Sequence, residues 1–259
     1  MHWESAVPVD RQDRGTLGGE DVLRILLMVI RNFWRVPAAW FKLCHYAKHT
    51  DEYTYEEKYK HIQYILKQAV TTGNIDFLVY GQENIPEKDG MLICGNHQGM
   101  FDVLAIVAAF DKPLAAVLKK ELAEIPFLKQ IVSCTHSYPM DREDVRQSMK
   151  VITGVTKEIA EGRNFLIFPE GTRSRNGNHM LEFHGGTFKC ATKSKCTILP
   201  FALIDSFKVL DNNGVEPVAV QLHYLEPIPY EEYKDMKTTE IAAMVHDRIE
   251  NKLKEVGAI

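Results

Sequence analysis

Short apolar runs separated by helix-length segments constrain this chain more than anything else in it. Residues 77–80, 91–94, 114–118, 135–139, 164–168, 196–203 and 218–224 each read as a strand, being short, apolar and bounded by turn residues. Between and around them lie segments of helical period: 54–70, 101–110, 121–132 with Pro126 inside it, 144–161, 187–193 and 239–256. In 144–161, for example, Val145, Met149, Ile152, Val155 and Ile159 share one face. Strands alternating with helices predict an α/β fold, a mainly parallel sheet flanked by helices. The chain has 259 residues, enough for one large α/β domain or two small ones. In such sheets a site lies off the carboxyl ends of the strands, so the residues just after each apolar run carry the chemistry.

After residues 91–94 the chain reads Gly95-Asn96-His97-Gln98-Gly99-Met100-Phe101-Asp102, and the helical pattern begins near Phe101. Within one continuous helix, residues five apart lie on different faces. His97 and Asp102 can meet if the histidine is on the loop and the aspartate is in the first helical turn. A carboxylate there would accept the proton of one imidazole nitrogen and leave the other as a base. The plainer alternative is an aspartate that favours a helix N-terminus beside an ordinary loop histidine. These residues alone do not choose between the two.

Residues 164–168 are followed by Pro169-Glu170-Gly171-Thr172-Arg173-Ser174. Taken together, N-H-x-x-x-x-D and F-P-E-G-T-R-S resemble the glycerolipid acyltransferase family, which contains the lysophosphatidic acid acyltransferases. Tyr138-Pro139-Met140-Asp141-Arg142 and Ile198-Leu199-Pro200-Phe201 resemble two weaker blocks of that family, in the same order, so the resemblance spans residues 79–201. It implies transfer of an acyl group from a thioester to the sn-2 hydroxyl of lysophosphatidic acid, giving phosphatidic acid in phospholipid biosynthesis. The donor it implies is acyl-coenzyme A or acyl-acyl carrier protein. By the same resemblance His97 is the general base and Asp102 orients it. Glu170, Gly171, Thr172 and Arg173 bind the acceptor phosphate, Arg142 is a further phosphate ligand, and Lys119 with nearby amides meets the oxyanion.

The residue chemistry is compatible with those roles. Gly171 permits close backbone approach, Thr172 offers a hydroxyl, and Arg173 offers a planar fork that matches phosphate. Glu170 is an odd neighbour for a phosphate, and the expectation is that it holds Arg173 or meets the glycerol hydroxyl. Arg142 has an alternative as a salt-bridge partner of Asp141 or Glu143, and Lys119 with Lys120 as a solvated pair. The chain lacks a G-x-S-x-G elbow, which favours direct attack by the acceptor hydroxyl over an acyl-enzyme. Cys94 sits inside an apolar strand and reads as an inert thiol. Cys190 and Cys196 have no second pair at zinc spacing, so no metal and no bound organic cofactor is expected. One rival keeps the family and changes the acceptor to another lysophospholipid or to glycerol 3-phosphate. A rival of another class is a membrane-surface esterase or thioesterase using water, for which an Arg142/Arg173 anion site would be superfluous. A non-enzymatic membrane adaptor would need neither that site nor the His97/Asp102 pair.

Residues 22–46 are the sharpest shift in composition. No acidic residue occurs between Val22 and Thr50, and Arg24, Arg31, Arg35 and Lys42 are spaced seven, four and seven apart, which stacks them on one helical face. A membrane span would need about twenty largely uncharged residues, and the arginines interrupt every such window. The expectation is an amphipathic helix lying in the membrane interface, bent or split at Pro37. Its basic face would meet anionic headgroups, and Leu26, Leu27, Ile30, Phe33, Trp34 and Phe41 would enter the acyl boundary. The alternative is a soluble helix covering the core. The expected organisation is a polar tail over residues 1–21, a helical membrane-association motif over 22–70 and an acyltransferase α/β domain over 71–259. Residues 1–20 do not resemble a signal peptide, and the five cysteines are scattered. Both suit a monotopic or peripheral protein at the cytoplasmic face of a membrane. The net charge of -4 argues against nucleic-acid binding.

Overall fold

All seven expected strands form, and they join one sheet. They are β1 Ile75–Tyr80, β2 Met91–Gly95, β3 Leu114–Lys119, β4 Tyr138–Met140, β5 Asn164–Leu166, β6 Thr197–Ile204 and β7 Val218–Tyr224. The structure is a computed structural model that describes residues 22–211 and 214–259, and the expected polar tail over residues 1–21 lies outside the described residues. Strand order is β1-β7-β6-β2-β5-β3-β4. The run from β6 to β4 is parallel, β7 is antiparallel to β6, and β1 is parallel to β7. The carboxyl ends of five strands and the amino ends of β1 and β7 therefore share one edge of the sheet.

Helices cover both faces. They are α1 Val22–Arg31, α2 Val36–Lys48, α3 Tyr55–Thr72, α4 Phe101–Ala109, α5 Leu128–Thr135, α6 Val145–Ala160, α7 Lys189–Ser194, α8 Phe207–Leu210, α9 Tyr230–Tyr233 and α10 Thr238–Glu255. On one face Leu43, Ile62 and Ile106 from α2, α3 and α4 pack with Ile93 and Leu199. On the other, Val155, Ala191 and Val245 from α6, α7 and α10 pack with Leu92 and Ile198. Successive residues of β2 and β6 thus feed opposite cores, as the two-residue period of a strand requires, and both strands are apolar because both faces are covered. At Gly95 a Cβ would lie 2.4 Å from the ring and from the carbonyl oxygen of Phe201. Only glycine lets the end of β2 run this close to β6.

The helix expected over 121–132 divides at Pro126. A 3-10 turn spans Lys120–Glu124 and α5 follows, because the residue before a proline is kept out of helical geometry. Pro37 likewise divides residues 22–46 into α1 and α2, sitting in the first turn of α2, where its missing N–H is no loss. The four-residue helices α8 and α9 have no periodic signature and were not anticipated.

The basic face of α1 corrects an expectation. Arg24 is buried and donates to Gly73 O at 2.6 Å and Glu216 O at 2.8 Å. Arg31 donates to Thr72 O at 2.8 Å, and Arg35 to Gln68 Oε1 at 2.8 Å. Arg24 is thereby turned inward, whereas Arg31 and Arg35 stay exposed while reaching back to the C-terminal end of α3. For Arg24 and Arg31 the reason is that the last carbonyls of a helix lack intrahelical donors and sit at its negative end. The apolar residues take the outer side: Leu23, Leu26, Ile30 and Phe33 are exposed, Trp34 is 68% exposed and Phe41 71%. Among the described residues, no helix is long and apolar enough to cross a membrane.

Candidate active site

The loop after β2 is held by its own side chains. Asn96 Nδ2 donates to Leu203 O, and Leu203 N donates to Asn96 Oδ1, both at 2.7 Å, so a side chain prolongs the ladder where the β2 backbone leaves it. The chain then turns through His97 and enters α4 at Phe101, which puts Asp102 in the first helical turn. His97 Nδ1 lies 2.7 Å from Asp102 Oδ2. A carboxylate only accepts, so Nδ1 carries the proton and Nε2 keeps its lone pair. The same Oδ2 accepts from Gln98 N at 2.6 Å and Gly99 N at 3.0 Å, while Oδ1 accepts from the Ser206 hydroxyl. Asp102 is wholly buried, whereas the His97 side chain keeps 14% of its surface open to solvent. The imidazole stacks on Phe168, centroids 4.1 Å apart and planes 18° apart. The ring is therefore held by a hydrogen bond along one edge and an aromatic face beneath it.

The second block lies beside this loop, because β5 is the neighbour of β2. Ser174 N donates to His97 O at 2.8 Å. Gly171 takes φ +71, where a side chain is strained, and a Cβ would lie 3.2 Å from the His184 ring. Thr172 is exposed, and Arg173, half-buried, stands 3.9 Å from Asp211 Oδ1.

Glu170 departs from the expectation that it faces Arg173 or the acceptor. Its side chain is buried, with Oε1 accepting from His97 N at 2.6 Å and Oε2 from Leu181 N at 2.9 Å. Burial pushes its carboxyl up to about 7; the two backbone N–H groups oppose that shift, and the nearby Asp102 charge adds to it. Glu170 holds the histidine loop from behind.

Lys119 ends β3, and Arg142 is exposed in the loop between β4 and α6. Both fall on the carboxyl edge with His97, but β5 separates β3 from β2, and β4 is one strand further. At roughly 4.8 Å between strands, Lys119 starts about 10 Å and Arg142 about 14 Å from the histidine strand. Asp141 accepts from Lys120. Cys94 is wholly buried, and burial pushes its thiol well up. Among the described residues, no cluster of three or more His, Cys, Asp or Glu side chains is arranged to hold a metal ion.

Several residues around the pair were missed from sequence: Phe168 under the ring, Asn96 and Gln98 in the loop, and Ser206 on Asp102. Asn96 and Gln98 carried a local signal, as polar residues directly after a buried strand. Ser206 carried none, since it reaches Asp102 across 104 residues.

A histidine–aspartate pair at the mouth of a parallel sheet, beside a Glu-Gly-Thr-Arg turn, fits the acyltransferase resemblance carried by the two motif blocks. The acyltransferase family profile matches residues 76–204, and the chain belongs to that family. Among curated relatives, a 1-acyl-sn-glycerol-3-phosphate acyltransferase of Borreliella burgdorferi is 28% identical over 193 residues, 74% of this chain and 77% of that protein. One from Helicobacter pylori is 33% identical over 125 residues, 48% of this chain and 53% of that protein. One from Saccharomyces cerevisiae is 28% identical over 191 residues, 71% of this chain and 61% of that protein. The chain thus spans about three quarters of the first relative's length and less than two thirds of the other two. The fold is shared with the crystal structure of a 1-acyl-sn-glycerophosphate (LPA) acyltransferase from Thermotoga maritima, with a TM-score of 0.74 at 23% identity over 91% of this chain and 97% of that one.

Proposed function

We propose that this protein is a 1-acyl-sn-glycerol-3-phosphate O-acyltransferase, moving an acyl group from a thioester to the sn-2 hydroxyl of lysophosphatidic acid to give phosphatidic acid. The observation that carries the reading is the 2.7 Å contact between His97 Nδ1 and Asp102 Oδ2. With Nδ1–H donated to Asp102, Nε2 takes the proton of the acceptor hydroxyl as its oxygen attacks the thioester carbonyl. The tetrahedral oxyanion collapses, the C–S bond breaks, and the thiolate leaves with the proton that His97 had taken. Asp102 stabilises the imidazolium formed between those events. A positioned general base of this kind contributes ~10²–10⁴-fold in rate. Arg173, shared by Arg142, binds the acceptor phosphate, and Lys119 with nearby amides meets the oxyanion. The activity named for the relatives supports this choice of acceptor. The reading calls for no metal and no bound organic cofactor.

The acceptor carries one long acyl chain and resides in a bilayer. The enzyme accordingly works as a monotopic or peripheral protein at the cytoplasmic face of an anionic membrane. The exposed Phe33, Trp34 and Phe41 support contact through the apolar ridge of α1 and α2. The test is to incubate purified protein with lysophosphatidic acid and either acyl-coenzyme A or acyl-acyl carrier protein of matched chain, and to identify the product by mass. Phosphatidic acid that requires both substrates is the expected result, and the preferred donor follows from the same assay. Free fatty acid without phosphatidic acid would overturn the reading in favour of a thioesterase.

A further inference from the structure

A wholly buried carboxylate is stable only where donors meet both of its oxygens. Asp102 Oδ2 has three N–H donors, from His97, Gln98 and Gly99. Oδ1 accepts from the hydroxyl of Ser206, which is itself wholly buried. Ser206 stands at the turn between β6 and α8, where Asp205 adopts φ +60. Its own position is fixed from the loop it serves. Ser206 N donates to Gln98 Oε1 at 3.0 Å, and Gln98 Nε2 donates to Asn178 Oδ1 at 2.8 Å and Leu203 O at 2.9 Å. Asn178 and Asp205 close the ring: Asp205 N donates to Asn178 Oδ1 at 2.9 Å, and Asn178 Nδ2 donates to Asp205 Oδ1 at 3.1 Å. Three segments, after β2, after the Glu-Gly-Thr-Arg turn and after β6, are thereby locked around one carboxylate.

We infer that Ser206 is a positioning residue for acyl transfer, its hydroxyl fixing the rotation of the Asp102 carboxylate so that Oδ2 stays aimed at His97 Nδ1. The inference rests on the roles proposed above for His97 and Asp102. A carboxylate turns easily about its last bond, whose torsional preference is broad. Donors gathered on Oδ2 hold that oxygen but leave the plane free to swing, and a donor on Oδ1 sets the plane. Without the Ser206 hydroxyl, Oδ1 would lose the donor described for it, and the carboxylate would turn to share those on Oδ2. The imidazole would follow. Ser206 is not a nucleophile, because it is closed to solvent and its proton goes to Asp102 rather than to His97.

Three variants and their kinetics test this. Ser206→Ala should lower kcat about 10- to 100-fold, the size expected when one hydrogen bond to a charged group is lost, with both KM values within about two-fold. The double variant Asp102→Asn/Ser206→Ala should be no slower than Asp102→Asn alone, since a residue acting only through Asp102 has nothing left to position. Ser206→Cys, which keeps the side-chain shape with a bulkier and weaker donor, should show an intermediate kcat, and thermal melts of both variants identify which is folded, so the idea can be tested even if the alanine variant fails to fold. A Ser206→Cys or Ser206→Ala enzyme with wild-type kcat would overturn the inference. So would losses that multiply fully in the double variant, which would make Ser206 a stability residue independent of Asp102. His97→Ala, assayed alongside, separates the two claims: an inactive His97→Ala with a fully active Ser206→Ala refutes only the Ser206 role, whereas an active His97→Ala refutes the underlying mechanism.

Discussion

Glu170 accepts the backbone N–H of His97 at 2.6 Å, so the acid of the second sequence block supports the loop of the first. Its buried carboxyl, pushed up to about 7 from an ordinary 4.5, gives stability a defined pH dependence. In the unfolded chain the group releases its proton near 4.5, while in the folded protein it keeps it until about 7. The folded state therefore binds more protons across that window, and stability falls as pH rises through it. The contribution is full below about 4.5 and gone above about 7, with a span on the order of 3 kcal/mol. Thermal melts of wild type and Glu170→Gln between pH 4.5 and 8 check this. The wild-type-minus-variant difference in Tm should shrink toward pH 7 and then level off. A difference that is flat across the range would mean that the two N–H donors keep Glu170 ionised throughout.

His97→Ala should abolish turnover with little change in Tm, because the imidazole rests on Phe168 at the open end of the sheet rather than inside either core. Asp102→Asn should cost about 10²–10⁴-fold in kcat. The amide can still accept, but with its nitrogen toward Nδ1 it would force the wrong tautomer on the ring. This variant should also lose stability, since Asp102 carries three backbone and side-chain donors besides the imidazole. Steady-state kinetics alongside thermal melts separate the two substitutions. Near-normal turnover in His97→Ala would exclude it as the base.

Arg173→Ala should raise the acceptor KM and reduce preference for the phosphorylated acceptor over its phosphate-free analogue. Loss of one charge-assisted contact corresponds to roughly 1.5–3 kcal/mol, or about 10- to 150-fold in KM. Arg142→Ala should act in the same direction and less strongly, because its strand lies three places from β2 in the sheet. The check is kinetics on both acceptors. Equal losses with and without the phosphate would assign these arginines to folding.

The strands were legible because each is a short apolar run; the spacing of His97 and Asp102 across a strand–helix junction left their pairing open, and the resemblance carried by the two motif blocks favoured it. Sheet order was not legible: β1 pairs with β7 across 75–80 and 218–224, and no local pattern encodes that meeting. The motif put Glu170 beside Arg173 in sequence, but the turn sends its side chain inward to the His97 loop. The spacing of Arg24, Arg31 and Arg35 correctly put them on one side of the chain. Periodicity says which residues share a face, however, and not which way the face looks. For Arg24 and Arg31 that was decided by carbonyls at the end of α3, a tertiary demand with no signature in residues 22–46.

The hydrogen bonds from Arg31 and Arg35 to α3 change what should release the protein from a membrane. Arg31 and Arg35 make their contacts with Thr72 O and Gln68 Oε1, so reversing both to Glu should chiefly lower Tm by loosening α1 and the α1–α2 turn from α3. Phe33, Trp34 and Phe41 are exposed on the outer side and make no such demand on the fold. Full burial of each large apolar side chain is worth about 1.5–3 kcal/mol. Replacing all three with Ser should therefore weaken binding to anionic vesicles by at least ~10²-fold while leaving Tm near wild type. Activity on vesicle-borne lysophosphatidic acid should fall with binding. Activity on a dispersed short-chain acceptor should stay close to wild type, because His97 and Arg173 lie outside the ridge. Binding of the wild type should also persist as salt is raised, since apolar insertion is screened far less than headgroup attraction. Co-sedimentation across a salt series, with the triple Ser variant and the double Glu variant side by side, distinguishes the two surfaces. Retention of the triple variant on vesicles, together with release of wild type by salt, would show that charge rather than the apolar ridge meets the membrane.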